Sequence, residues 1–422
     1  MTVFPRTISE KILSAKSGGM ARAGDVVVCS VDLILGTDAS APMAIGYFER
    51  MGGTRVHDAS RIVFALDHYS PPSSPSTKSF HDQVHAFAGK HGLRVYEVGE
   101  GISHQIAVER GLARPGMLIV GADSHTVTCG AMNAFATGVG SSDLAAAMLT
   151  GQLWFRVPET IRVVLEGEGT RATGVAAKDV ALAMVAALGA DGAEYHALEF
   201  AGPGARSFSL DDRLVLSNLA VEAGAKAAVW EADNILASNL SRFSERGEPV
   251  AADPGARYAR EVVIDVGSVQ PSVALPHSPE NVVPIADAPA TSIHMVFLGT
   301  CTGGRAADYH EALEVLERGG GRLADGVQLV VTPASSEVER QLAEDGTLAK
   351  FARMGATITM PGCGACCGTS GVIPRDGTNV LSTANRNFKA RMGNATASIY
   401  LASPATCAAS AATGRITDPR EI

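Results

Sequence analysis

A chain of 422 residues is too long for one simple hydrophobic core, so two or three domains are expected. Hydrophobic residues make up 46% and charged residues 19%, a globular composition. The formal net charge of −9 speaks against a general affinity for nucleic acid or for an anionic membrane surface, and no apolar run is long enough to span a bilayer.

The N-terminus, Met1 to Glu10, has no apolar core of a signal peptide. Without a secretory signal, the seven cysteines read as reduced thiols or ligands, and the cytoplasm is the expected compartment. Residues 7–24 predict a helix closed by Gly18-Gly19. Val26–Ser30 predicts a short buried strand, 32–40 a polar-studded loop, and 42–51 a helix closed by Gly52-Gly53.

A pattern then repeats. The strand Ile62-Val-Phe-Ala-Leu66 runs straight into Asp67-His68. Leu93–Val98 leads to Gly101-Ile-Ser-His104, and Met117–Val120 leads to Gly121-Ala-Asp123-Ser124-His125. Later, Met295–Leu298 leads to Cys301, and Thr357–Met360 leads to Cys363. Five times a polar or sulfur-bearing residue lies just past the carboxyl end of a strand, where open α/β sheets build their sites. Helical patterns follow these strands, as at 81–90 and 306–316, so parallel α/β units are expected.

The middle third differs. It reads as a strand at 161–166, a helix at 176–188, a helix at 213–223 and a strand at 257–266. Its Ala-rich stretch from Val175 to Ala190 is interrupted by Lys178 and Asp179. It looks like a second domain between two related ones, with bounds of 1–158, 159–272 and 273–422. An Ala-rich helix at 404–412, capped by Gly414, ends the pattern.

Cys363 and Cys366 form a C-x-x-C, and Cys301 stands alone well before them. Three thiolates fall short of a structural zinc site, which wants four protein ligands, but suit an iron–sulfur cluster with one open iron. From the cysteines alone, cluster, zinc and structural roles stay open. Cys301 precedes a helix, whose N-terminus would favour its thiolate. Cys29, Cys129, Cys367 and Cys407 read as small buried hydrophobes. Asp67-His68, His104 and Asp123-Ser-His125 group imidazoles and carboxylates at strand ends, as proton transfer to a hydroxyl needs. The other histidines, including His81 and His85, read as satisfied structural residues. Arg386 and Arg391 offer two guanidiniums suited to carboxylates, and Asn218 and Glu222 share a helix face.

These stretches together resemble the aconitase superfamily of iron–sulfur hydro-lyases, and within it the large subunits of 3-isopropylmalate dehydratase and homoaconitase. The likeness is carried by Gly121-Ala-Asp-Ser-His-Thr126, Phe135–Asp143, Gly299-Thr-Cys-Thr302, Cys363-Gly-Ala-Cys366, Ser382–Arg391 and Leu401–Pro404. It implies a three-domain α/β catalytic core without the family's swivel domain, which two-subunit members carry on a separate small subunit. It implies a [4Fe-4S] cluster on Cys301, Cys363 and Cys366, acting as a Lewis acid without redox change. It implies Asp67-His68 as the pair that protonates the departing hydroxyl, with His104–Asp123 and His125–Glu222 as further catalytic pairs. Asn218 and Asn385 would contact the cluster region, Ser124 the substrate, and Arg386 and Arg391 its carboxylates. The expected reaction is dehydration and rehydration of a hydroxy di- or tricarboxylic acid. 3-Isopropylmalate is the first substrate to consider, with homoaconitate and 2,3-dimethylmalate or citramalate as alternatives. An RNA-binding regulator is disfavoured by the net charge, and an inactive partner by the complete set of site residues. One departure stands out: the usual Cys-Thr-Asn reads Cys301-Thr-Gly303 here, which removes an amide near the cluster.

Overall fold

A computed structural model describes residues 4–167 and 171–422; Met1 to Val3 of the N-terminal stretch read above lie outside the described residues. Among the described residues, three large sheets and one two-stranded ribbon organise the chain. The first is parallel and five-stranded, in the order Arg94–Tyr96, Ile62–Ala65, Leu33–Thr37, Leu118–Gly121, Phe135–Gly138. The second is parallel and four-stranded, in the order Ala227–Trp230, Ala197–Ala201, Thr160–Glu166, Arg260–Asp265. The third has seven strands: Val282–Pro284, Ser272–Ala274, Ser398–Ala402, Asn379–Ser382, Met295–Gly299, Gln328–Thr332, Thr357–Ile358. Its last five run parallel, and the first two add antiparallel at one edge.

The alternation of strand and helix read from the sequence is present throughout. Two expectations are corrected. Residues 32–40 are not a loop: Leu33–Thr37 is the buried middle strand of the first sheet. Its Leu33-Ile-Leu35 run is short and does not alternate, because both faces of a parallel sheet are covered. Val26–Ser30 is a strand but not a buried one. It pairs antiparallel with Gln152–Arg156 in a two-stranded ribbon that leaves Val26, Val28 and Trp154 exposed.

Helix ends follow local chemistry. Thr7 and Glu10 form a capping box on Ile8–Ser17, and left-handed Gly18 ends it. The helix read at 81–90 starts earlier, as Pro75–His91, because Ser74 caps it and Pro75 occupies its first turn.

The cores interlock. One core joins Leu33, Ile119 and Ala131 of the first unit to Ile161, Leu198 and Leu216 of the second. Another places Leu182, on the helix Ala177–Leu188, with Met295, Phe297 and Val330 under the third sheet. Each fully buried side chain of that size contributes about 1.5–3 kcal/mol.

In the first sheet the strand order reverses between Leu33–Thr37 and Leu118–Gly121, and in the third between Met295–Gly299 and Asn379–Ser382. Such switch points open a crevice at the carboxyl ends of the strands. In the third sheet, Gly303 lies against the Thr383 side chain: an added Cβ would come within 2.3 Å of the Thr383 Cβ. Thr383 is itself fixed, accepting from the Gly299 amide at 2.9 Å and donating to the Gly299 carbonyl at 3.0 Å. Gly303→Ala is therefore expected to destabilise the chain by about 1–3 kcal/mol, the usual cost of overpacking. Urea unfolding compared with wild type measures it, and an unchanged midpoint would show that Thr383 yields freely.

Candidate active site

The carboxyl ends of the first and third sheets meet. The Cys363 amide donates to the Asp67 carbonyl at 2.9 Å, and the Ile102 amide to the Ala334 carbonyl at 2.9 Å. Thr369 Oγ1 donates to the His68 carbonyl at 2.5 Å. Gly362, at φ +146°, permits the approach: a Cβ there would stand 2.9 Å from the Asp67 oxygen.

His68 lies at this junction. Its Nδ1 donates to Asp67 Oδ1 at 2.7 Å, and the Ser103 amide donates to Asp67 Oδ2 at 2.8 Å. Its Nε2 is 3.5 Å from Asp123 Oδ2. Burial works against a charged ring, but the Cys363 thiol and the Asp67 carboxylate outweigh it and hold the His68 pKa well above its usual value. The Asp67 oxygens, the His68 ring and the Cys363 sulfur converge closely enough to share one ion.

Asp38, passed over by the sequence reading, supports the same residue. Its fully buried carboxylate accepts the amides of His68 and Tyr69, each at 2.9 Å, and His81 Nε2 at 2.9 Å. His81, read as structural, thus reaches the backbone of His68 through one carboxylate. Asp38 directly follows the strand Leu33–Thr37; recognising that strand would have found it. His85 instead pairs with Glu97 at the surface.

Of the three expected histidine–carboxylate pairs, two form a hydrogen bond: Asp67–His68, described above, and His125–Glu222. His125 Nε2 donates to Glu222 Oε1 at 2.9 Å. Arg386 Nε reaches both Glu222 oxygens, at 2.8 and 3.0 Å, and its Nη2 donates to Ser124 Oγ at 2.9 Å. Burial would raise the Glu222 pKa, but the bonds from His125 and Arg386 bring it below its usual value. The expected His104–Asp123 hydrogen bond is not formed. Asp123 accepts the His125 amide at 2.7 Å, and the buried His104 ring leaves both nitrogens without a partner. Burial draws the His104 pKa down to about 3, so the ring is neutral.

The three cysteines converge with the asparagines. Asn218 Nδ2 donates to Cys301 Sγ at 3.0 Å, and Asn385 Nδ2 to the same sulfur at 3.2 Å. Cys366 Sγ lies 3.7 Å from Asn385 Oδ1 and 3.6 Å from Arg391 Nη2. Cys363 packs against the small cluster of Ile102, Cys301 and Ala334. Cys367 turns instead to Thr369 Oγ1, at 2.8 Å. The helix N-terminus does not favour the Cys301 thiolate: burial pushes that thiol up to about 12, and the helix begins only at Ala306. A metal is then what would ionise it. Three convergent thiols, two buried and one half-buried, amide donors on a sulfur, and a buried imidazole with two orphaned nitrogens fit a cluster that leaves one iron without a protein ligand.

The model of the aconitase family (aconitate hydratase) matches residues 10–291 and 286–414. The 3-isopropylmalate dehydratase large subunit 1 of Methanopyrus kandleri is 46% identical over 417 residues, 98% of this chain and 99% of that protein. Large subunit 2 of Archaeoglobus fulgidus is 46% identical over 421 residues, 99% of each chain. Large subunit 1 of Thermotoga maritima is 42% identical over 421 residues, again 99% of each. Holo-form aconitase X of Thermococcus kodakaraensis superposes with a TM-score of 0.50 at 12% identity, over 85% of this chain and 84% of that one, a likeness of fold alone. With a family model spanning nearly all of it and full-length relatives above 40% identity, the chain belongs to the aconitase family.

Proposed function

We propose that this chain is the large, catalytic subunit of a hydro-lyase that isomerises 3-isopropylmalate by dehydration and rehydration. The observation that carries the chemistry is His68, held between Asp67 and Asp123 beside Cys363, with Cys301 and Cys366 joined close by through Asn385. The substrate assignment rests on the full-length relatives, each named a 3-isopropylmalate dehydratase large subunit. Homoaconitate and methylated malates are the outcomes to test against it. Among the described residues no helix is long and apolar enough to cross a membrane, and we place the enzyme in the cytoplasm.

Cys301, Cys363 and Cys366 would hold a [4Fe-4S] cluster. When bound, it supplies a Lewis-acidic iron beside the substrate hydroxyl. The chain's own residues do the rest. His68 gives its proton to the hydroxyl as the C–O bond breaks, and the oxygen leaves as water. Asp67 and Asp38 fix the ring and backbone of His68, so its proton points at one place. His104, neutral and unpartnered, offers a ring nitrogen to the substrate or to water. Arg391 and the remaining donor of Arg386 hold a carboxylate, with Ser124 beside them. Asn218 and Asn385 steady the Cys301 sulfur.

The second proton, on the carbon beside a carboxylate, needs a base, and its bonding pair becomes the new C=C bond. Asp67, Asp123 and Glu222 are already committed to histidines or Arg386. We infer that a separate small subunit carrying the swivel domain brings the base.

Three outcomes check this reading. Cys301→Ser, Cys363→Ser or Cys366→Ser each abolishes the thiolate-to-iron charge-transfer absorption after anaerobic reconstitution, while Cys367→Ser keeps it; the reverse result for Cys366 and Cys367 would overturn the ligand set. With cluster assembled, His68→Ala lowers turnover by roughly 10²–10⁴, and His85→Ala leaves it near wild type; equal activity in the two removes His68 from the mechanism. Reconstituted chain alone binds 3-isopropylmalate but does not dehydrate it, and adding the matching small subunit restores turnover. Full turnover by the chain alone would mean that it holds its own base.

A further inference from the structure

Lys178 lies in the first turn of the helix Ala177–Leu188, beneath the third sheet, and is 1% exposed. Its Nζ donates to Thr302 Oγ1 at 3.0 Å, to the Thr383 carbonyl at 2.8 Å and to the Ala384 carbonyl at 2.6 Å. The two carbonyls only accept. Thr302 Oγ1 spends its one hydrogen on the Thr383 carbonyl, at 2.7 Å, so toward Lys178 it accepts as well. Three acceptors require three N–H hydrogens, and only the ammonium form carries three. With the Thr302 hydrogen on the Thr383 carbonyl, Lys178 is a buried cation.

No carboxylate pairs with it directly; Asp308 acts on it only from a distance. Among the described residues none lies within ion-pair distance of Nζ. Asp179, its sequence neighbour, turns away to accept the amides of Ala176 and Ser272, each at 2.9 Å. Burial draws the ammonium down to about 8, and the groups that push it back up are, in order, the Cys301 and Cys407 thiols, the Asp308 carboxylate and the Cys366 thiol. A buried charge left without an opposite charge is destabilising. The groups it holds show where the balance comes from. Thr302 follows Cys301 directly, and Thr383-Ala384 precede Asn385, which contacts both Cys301 and Cys366.

We propose that Lys178 is the buried counter-charge of the loaded cluster site: a positioning residue that ties the Cys301 loop to the Thr383-Ala384 segment, and whose ammonium offsets the negative charge of the cluster and its thiolates. This rests on the reading that Cys301, Cys363 and Cys366 hold a cluster. A [4Fe-4S]²⁺ core on three thiolates is a net anion, and a bound dicarboxylate adds further negative charge. The lysine is not a catalytic residue, because three protein oxygens occupy all its hydrogens. Arg391 also lies near Cys366, but it is partly exposed, so solvent screens it in the empty chain. Lys178 has no such relief.

The test uses the full chain, reconstituted anaerobically with ferrous iron and sulfide, as wild type, Lys178→Met and Lys178→Arg. The midpoint potential is followed by electron paramagnetic resonance, cluster release by chelator challenge, and thermal unfolding is measured with and without the cluster. Lys178→Met removes a positive charge, so it lowers the midpoint potential and speeds cluster release by about tenfold, in line with other residues one shell behind a metal ligand. It also shrinks the gain in Tm on loading. Lys178→Arg keeps the charge and stays nearer wild type in potential. A residue that merely props the fold would lower Tm equally with and without the cluster and leave the potential unchanged, and that result overturns the proposal. So does an empty Lys178→Met chain that fails to fold, because in the empty chain the charge is a burden. Wild type that takes up no iron would instead overturn the cluster reading itself.

Discussion

The backbone hydrogen bond from Cys363 to Asp67, 2.9 Å long, is the contact on which the site depends. It joins the loop after Ile62–Ala65 in the first sheet to the loop after Thr357–Ile358 in the third. The residue after the acceptor is His68, the proposed acid, and the donor is Cys363, a proposed cluster ligand. One peptide contact therefore fixes the two relative to each other. Gly362 makes it possible, since a side chain there would collide with the Asp67 carbonyl. The second unit then closes the arrangement from the side, with Asn218 and Glu222 reaching the site from Leu210–Leu219 and the turn after it.

Charge explains why so many polar groups are buried together. A buried carboxylate or guanidinium is costly unless partnered, and here each partner is another site residue. Asp38 is satisfied by His81 and two amides, and Glu222 by His125 and Arg386. The result is a chain of mutually oriented groups rather than a set of free side chains. Such networks are rigid where they are complete. Where they are incomplete among the described residues, at His104 and at the Nε of Arg391, polar atoms are left for substrate or water.

Much of this was legible in the sequence because the fold's own rule is simple. Sites form past the carboxyl ends of parallel strands, so Asp67-His68, Asp123 to His125, Cys301 and Cys363 announced themselves by position. What was missed shares one physical cause. Asp38 follows a strand too short and too evenly apolar to be told from a loop, and His81 matters only because Asp38 does. The His104–Asp123 pairing failed because spacing places residues at a strand end without saying which neighbour each will face. The Cys301 thiolate failed because burial outweighs a helix N-terminus that lies several residues away. Lys178 and Asp179 were visible only as interruptions of an Ala-rich stretch; their meaning lies in the third sheet, far along the chain.

The same balance bears on how the site fills. Burial pushes the Cys301 thiol up to about 12, so it is not ionised in the empty chain near neutral pH, and burial also raises the Cys363 thiol against the pull of His68. Binding iron must expel the Cys301 proton, and the resulting negative charge then meets cations already in place. Arg391 lies 3.6 Å from Cys366, Lys178 is tied to the residue after Cys301, and His68 stands beside Cys363 with Asp67 as its own partner. Thiolates formed on metal binding would therefore meet cations already held in place. Metal binding and the order of the active site are in this sense one equilibrium, because the charges that orient the substrate are the charges that the cluster balances.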